Sequence, residues 1–407
     1  MLSNKSVTSE MISFLRFPMA VGVVMLHCFF SVMGWQYNKL AEQGMGSNIV
    51  SELLLTGRIL CFFIVALYFL ISGYLFFVHL QDWDSEVWRH KMYRRIWTLL
   101  IPYILWNTFY ILFQIGPELV ECLIKGNSWN GVNTWVNDHG GWLGLFWNAK
   151  DLAGGQVDLW GHPVHSTVPI LLPFYFIRNL MVLNIFSPLF FLLLRSRNKS
   201  VSPCAIITLL VLAFFYLTQT SFIIPGFTAE AFFFYGWGAF LSLNRYRLSQ
   251  VFYSWKWSIA IITFCLFMAE LYYGFLSTKE GKILISFFVV FELMTVVNFT
   301  SWVVRKSHLN ERMSMVKNYL TRWQNASFMV FALHFFLLHF VFRLLDKVGG
   351  KLTGFYNVRS MEMANHYPYL VLTNFLLRIV ILVTICMIVY VLMQKFLPRL
   401  CKLLCGR

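Results

Sequence analysis

SFLRFPMAVGVVMLHCFF, residues 13–30, is an apolar run in which only Arg16 and His27 can carry a charge. Eighteen such residues are enough for a membrane-crossing helix. A charged side chain is costly at that depth, so both residues call for an explanation. Eleven residues at 100° each make 1100°, about 20° past three full turns, and so the two side chains share one helix face. They stand about 16 Å apart along the axis. Arg16 has an ordinary reading as a snorkelling residue at the membrane edge. A deep histidine on the same stripe points to an interior polar cavity, since buried polar groups in membranes collect at sites and pathways.

The rest of the chain agrees with a membrane setting. Of its 407 residues, 58% are hydrophobic and 13% charged, and the mean hydropathy is +0.64. A soluble globular chain is roughly a quarter charged. Ten apolar segments centre near residues 24, 69, 105, 182, 212, 236, 266, 293, 337 and 382. The expected fold is all-α, a polytopic membrane protein with about ten transmembrane helices, read as one domain over residues 1–407.

The formal charge of +15 would suit a nucleic-acid partner, but its placement argues otherwise. With alternating connections, 21 of the 33 basic residues fall on one side: Lys5 and Arg16, Arg89 to Arg95, Arg195 to Lys199, Arg245 to Lys256, Arg305 to Arg322, and a basic tail over 394–407. Basic residues accumulate on the cytoplasmic face, so both termini are expected there. The charge then records topology and attraction to lipid headgroups, with no nucleic acid involved.

One connection is long. Residues 114–168, expected as a loop on the outer face, hold Trp129, Trp135, Trp142, Trp147 and Trp160 with His139, His162 and His165. Tryptophans there either anchor at the membrane interface or stack on sugar rings, and both readings stand. A second outer connection, 344–370, holds Asp346, Glu362 and His366. The eight cysteines include only a lone C-x3-C, Cys401 and Cys405, which is too weak for a metal site. YGWGAF at 235–240 has glycine spacing suited to helix contact rather than to phosphate binding. Pro18 is expected near the first turn of its helix, where proline is tolerated.

Other apolar segments also carry polar groups. These include Ser72, Arg94, Arg95, Asn107, Arg178, Asn179, Asn184, Glu230, Glu270, Glu292, His334, His339 and Arg378. Buried charges need partners, and Arg178 or Arg378 with Glu292 is the expected pairing.

Several segments resemble the acyltransferase-3 family of integral-membrane acyltransferases. Arg16 and His27 match its arginine–ten residues–histidine first helix. FLISGYLFF (69–77) resembles its Phe-x-x-Ser-Gly helix, and RRIWTLLIPYILW (94–106) its basic-then-Pro-Tyr helix. FYFIRNLMVLNIFSPL (174–189) and SFMVFALHFFLLH (327–339) are similar to two later helices. Two departures are Tyr175 where the family often has Trp, and Asn179 where many members have Asp.

The resemblance implies transfer of an acyl group, most often acetyl, from cytosolic acyl-CoA to a hydroxyl of a cell-envelope glycan or glycolipid. It implies a multi-pass protein of the inner (cytoplasmic) membrane, with no permanently bound cofactor and acetyl-CoA as donor. In that scheme His27 is the general base. His334, Asn107 or Arg178 steadies the oxyanion, and Arg94, Arg95, Arg16 and Ser72 meet CoA. Membrane lipids are partners, and a homo-oligomer is compatible with the sequence. The other readings are a transporter or flippase of an envelope precursor or small solute, and a non-catalytic scaffold.

Overall fold

A computed structural model describes residues 4–29, 45–78, 80, 82–125, 129–149, 156–157, 163–164, 168–196, 201–220, 224–273, 279–354 and 366–407. Trp160, His162, His165 and Glu362 lie outside the described residues.

The helices are α1 (Asn4–Phe29), α2 (Met45–Ile59), α3 (Phe63–Phe77), α4 (Ser85–Arg95), α5 (Ile101–Lys125), α6 (Asn130–Asp138) and α7 (Gly141–Trp147). They continue as α8 (Tyr175–Ile185), α9 (Ser187–Leu194), α10 (Pro203–Leu217), α11 (Ala229–Leu243) and α12 (Lys256–Tyr273). Last come α13 (Lys279–Ser307), α14 (Glu311–Arg322), α15 (Ser327–Thr353), α16 (Pro368–Phe396) and α17 (Pro398–Leu404). The only β structure among the described residues is a two-residue antiparallel pair, Gln156–Val157 with Pro163–Val164, and a bridge between Ala149 and Val168.

All ten apolar segments are helical, but they are not ten equal spans. Among the described residues seven helical stretches are long and apolar enough to cross a membrane, or eight if α8 and α9 count as one. Those two are bent by 60°. Pro188 in the first turn of α9 lacks the N–H that would continue the helix, and the Ser187 hydroxyl instead donates to the Asn184 carbonyl at 2.6 Å. α10 and α11 have 15 residues each, about 22 Å, short of a ~30 Å hydrocarbon core. Pro18 also differs from expectation. α1 starts at Asn4, which places the proline in the helix interior.

The chain forms two compact units, Met1–Val65 with Arg247–Phe396, and Ala66–Tyr246 with Leu397–Arg407. In the first, α1 packs on α13, α15 and α16. Val24, Cys28 and Phe29 of α1 share a core with Val330 and Val341 of α15 and Phe375 and Leu382 of α16.

In the second unit α3 and α11 cross with their backbones in contact. A Cβ on Gly73 would strike the Tyr235 carbonyl oxygen, and one on Gly238 the Leu70 carbonyl oxygen. Backbone cannot swing aside as a side chain can, so only glycine fits either position. Gly238→Ala is expected to cost at least the ~1–3 kcal/mol typical of overpacking, read as a lowered unfolding temperature in detergent. Gly116→Ala, where nothing lies within 4 Å of the added carbon, serves as the neutral control.

Between α4 and α5 the helix widens to a π turn over Ile96–Leu100, and the Ile101 N–H bonds the Ile96 carbonyl five residues back. The basic tail is a docked element. Cys401, Leu404 and Cys405 are buried, and the Trp106 indole donates to the Leu404 carbonyl at 3.0 Å.

Candidate active site

α1 carries both residues of the opening motif. His27 is buried and Arg16 is exposed. Across from His27 stands His334 of α15, with ring centroids 5.1 Å apart and planes inclined by 41°. Phe335 closes on His27 edge-on at 5.5 Å. The two imidazoles therefore meet within the first unit, in a largely hydrophobic setting.

The hydrogen bond at His334 fixes what that ring can do. Its Nδ1 lies 3.0 Å from the Val330 carbonyl oxygen. A carbonyl only accepts, so Nδ1 carries the hydrogen, and in the neutral ring Nε2 is a bare acceptor. That Nε2 is buried and has no hydrogen-bond partner among the described residues. A neutral His334 thus accepts a proton or hydrogen bond.

Arg58 was not singled out in the sequence. It falls near the end of α2 and is buried, with its guanidinium 5.8 Å from the Phe62 ring. The preceding Gly57 lets α2 approach Met25 and Phe29, which flank His27 on α1; an added Cβ would lie 3.0 and 3.2 Å from their side chains. The available signal was the apolar run beginning at Ile49, which draws Arg58 into a span reaching Phe77.

Arg378 does not pair with Glu292. Its Nη2 is 2.6 Å from Asp346 Oδ1, and Phe342 lies 4.3 Å under the guanidinium. Glu270 and Glu292 are buried, and both oxygens of Glu270 and Oε2 of Glu292 have no hydrogen-bond partner among the described residues.

The other expected site residues belong to the second unit. Arg178 on α8 is 1% exposed. Its Nε and Nη2 donate to Asn179 Oδ1 at 3.3 and 3.0 Å, and its Nη1 to the Trp147 carbonyl at 2.5 Å. The Trp147 ring lies 5.6 Å from the guanidinium. Asn179, the departure from the acidic pattern, therefore still holds the guanidinium through two N–H groups, with a neutral oxygen in place of a carboxylate. Its own amide donates to Thr228 at 3.2 Å.

Asn107 is fully buried and its amide is used at both ends. Nδ2 donates to the Tyr103 carbonyl at 2.8 Å, and Oδ1 accepts from the Leu171 N–H at 3.3 Å. That geometry ties α5 to the segment leading into α8.

Arg95 is half-buried with its guanidinium 5.9 Å from the Phe76 ring, and Arg94 is exposed. Lys91 joins them by donating to the Phe76 carbonyl. Tyr235, which opens the YGWGAF stretch but was not singled out for chemistry, is buried within electrostatic reach of Arg95 and donates to Asn184 Oδ1 at 3.0 Å. Ser72 is half-buried beside the Gly73 crossing.

Among the described residues no group of three or more His, Cys, Asp or Glu could hold a metal ion. Burial and the neighbouring Cys401 push the Cys405 thiol up to about 12, so Cys405 stays protonated near neutral pH rather than presenting a thiolate.

A family model described as an acyltransferase domain, that of acyltransferase-3, matches residues 11–394. No curated protein and no solved structure matches the chain.

Proposed function

The chain belongs to the acyltransferase-3 family and is a membrane-embedded acyltransferase; we propose that it moves an acyl group, most readily acetyl, from cytosolic acyl-CoA to a hydroxyl of a cell-envelope glycan or glycolipid. The observation that carries this reading is the buried meeting of His27 and His334. Acyl transfer to a hydroxyl needs a base at the attacking oxygen, and a neutral imidazole supplies one near pH 7.

In this reading a nitrogen of His27 takes the hydroxyl proton as the oxygen attacks the thioester carbonyl. The tetrahedral intermediate then expels the CoA thiolate, which takes the proton. His334, with its acceptor Nε2, orients its neighbour or shares the proton. Arg94 and Arg95 bind CoA phosphates through charge-assisted hydrogen bonds, with Arg16 serving the same basic face and Ser72 near the donor. Arg178 meets a negatively charged part of the substrate, and Asn107 positions the segment that carries it. Both termini lie on the cytoplasmic side of the inner membrane, following the basic residues.

The test is transfer from labelled acetyl-CoA to extracted envelope glycans by the purified chain. The Arg94→Gln, Arg95→Gln double variant is expected to raise KM for acetyl-CoA about tenfold, the equivalent of ~1.4 kcal/mol, with kcat largely kept. An unchanged KM removes these arginines from the donor site. Absence of any transfer by folded wild-type protein, with solute uptake into vesicles, overturns the enzymatic reading for this acceptor class.

A further inference from the structure

In the first unit α12 and α13 run antiparallel, with Thr263 and Thr295 joined hydroxyl to hydroxyl at 2.8 Å and Phe267 against Phe288. Lys256 lies seven residues along α12 from that tie, and Arg305 ten along α13, about 10 and 15 Å of helix. Each stands at the end of a stretch long and apolar enough to cross a membrane. The two cations therefore share one membrane edge, at the level where headgroups begin.

The segment leading into α12 sets a tyrosine ring beside both. Thr8 of α1 meets Ser249 hydroxyl to hydroxyl at 2.9 Å, and Asn298 of α13 donates to the Phe252 carbonyl at 3.2 Å. Next along the chain, Tyr253 has the Lys256 ammonium 4.4 Å and the Arg305 guanidinium 5.1 Å from its ring centre. One ring thus draws in two positive charges. Of the five N–H donors a guanidinium carries, one is engaged among the described residues, Nη2 with the Ser249 carbonyl at 3.4 Å. Lys256 has ring contacts alone there, with Tyr253 and with Trp257 at 5.8 Å. Lys317 and Arg378 of the same unit each meet a carboxylate; among the described residues Lys256 and Arg305 meet none. Two cations gathered at one ring repel each other unless an anion joins them.

The surroundings suit a lipid. Tyr253, Lys256 and Arg305 are all partly exposed, so an anion can reach them. Trp255 and Trp257, on either side of Lys256, are 68% and 75% exposed, and tryptophans collect at headgroup level. From Trp257 an exposed row continues along α12 through Ile261, Phe264 and Met268. Its steps of four, three and four residues keep it on one helix face. On a membrane span, an uncovered apolar row of this kind lies against acyl chains.

We infer that Arg305, Lys256 and Tyr253 form a binding site for the phosphate of an anionic phospholipid, with an acyl chain following the α12 row. Two cations without a carboxylate favour a headgroup of net negative charge, such as phosphatidylglycerol. Phosphatidylethanolamine brings an ammonium that they repel. A CoA phosphate offers the cations the same chemistry, but it leaves the apolar row uncovered. The inference rests on α12 and α13 as membrane spans and not on the acyl-transfer proposal.

The test is native mass spectrometry of the whole chain in detergent, titrated with phosphatidylglycerol or with phosphatidylethanolamine, beside equilibrium binding of labelled CoA. The Lys256→Gln, Arg305→Gln double variant is expected to bind phosphatidylglycerol about tenfold more weakly than wild type, at about 1 kcal/mol or less for each charge near a membrane surface. Its phosphatidylethanolamine binding should change less than about twofold, and its CoA affinity should hold. Lys256→Gln alone removes no hydrogen bond within the described residues and is expected to weaken phosphatidylglycerol binding about threefold, which reads the site even where the double variant fails to fold. Arg305→Lys keeps the charge and most of the binding. Equal phosphatidylglycerol affinity in wild type and the folded variants overturns the inference. So does a double variant that loses CoA and keeps phosphatidylglycerol, which assigns the phosphate site to CoA.

Discussion

His27→Ala lowers acyl transfer by about 10²- to 10⁴-fold, the range removed with a general base, while binding of acetyl-CoA and the unfolding temperature change little. The argument starts from burial. His27 is buried, with the His334 and Phe335 rings 5.1 and 5.5 Å away. A neutral imidazole at that depth is a base that an apolar side chain is not. His27→Gln, closer in size, separates a lost base from a lost fit, because it keeps the volume and removes the titrating nitrogen. His334→Gln is expected to fall between wild type and His27→Ala, since its Nε2 acts through its neighbour. Single-turnover transfer from labelled acetyl-CoA, with binding measured separately, reads all three. Turnover near the wild-type level in purified His27→Ala removes His27 from the reaction.

The largest expected loss of stability is at Asp346. Its carboxylate meets Arg378 at 2.6 Å, and the arginine is almost fully buried with Phe342 beneath it. Asp346→Ala leaves a guanidinium in a low-dielectric interior without that carboxylate, a change worth about 3–5 kcal/mol in buried pairs. Removing both charges, as Asp346→Ala with Arg378→Met, should recover much of that loss, because the desolvation cost of the arginine disappears with it. Thermal unfolding in detergent measures the cycle. An Asp346→Ala variant that melts with the wild type would show that this contact contributes nothing to stability.

Much of the fold was legible because the bilayer imposes length and polarity on every crossing segment. Each of the ten apolar runs is helical, and the Arg16–His27 spacing led to a buried histidine. What the runs did not disclose was length measured against a membrane. α10 and α11 read as apolar as their neighbours, yet each ends after 15 residues. Pro188 was visible, but the 60° bend it accompanies depends on the Asn184–Ser187 bond. Partner choice was the other blind spot. Glu292 had two basic candidates, Arg178 and Arg378, and the packing of α15 against α16 gives Arg378 to Asp346 instead. Arg58 was hidden by its place at the edge of an apolar run rather than by its type. Trp147 acts through its carbonyl, which no sequence pattern displays.

The π turn at Ile96–Leu100 has a geometric consequence for the helix on either side. Five residues closing one turn, where an α-helix uses nearly four, insert a phase offset of about 100° between α4 and α5. The row Tyr103, Asn107, Ile111 recurs every four residues and so follows one face of α5 with a drift of about 40° per step, while Lys91 and Arg95 follow another along α4. A chain one residue shorter in that turn would keep both rows intact and aim them more than a quarter-turn apart from their present alignment. A whole extra turn would restore the bearing and change only the height. Between the basic pair and the asparagine that grips Leu171, the chain is therefore keyed by angle more tightly than by distance.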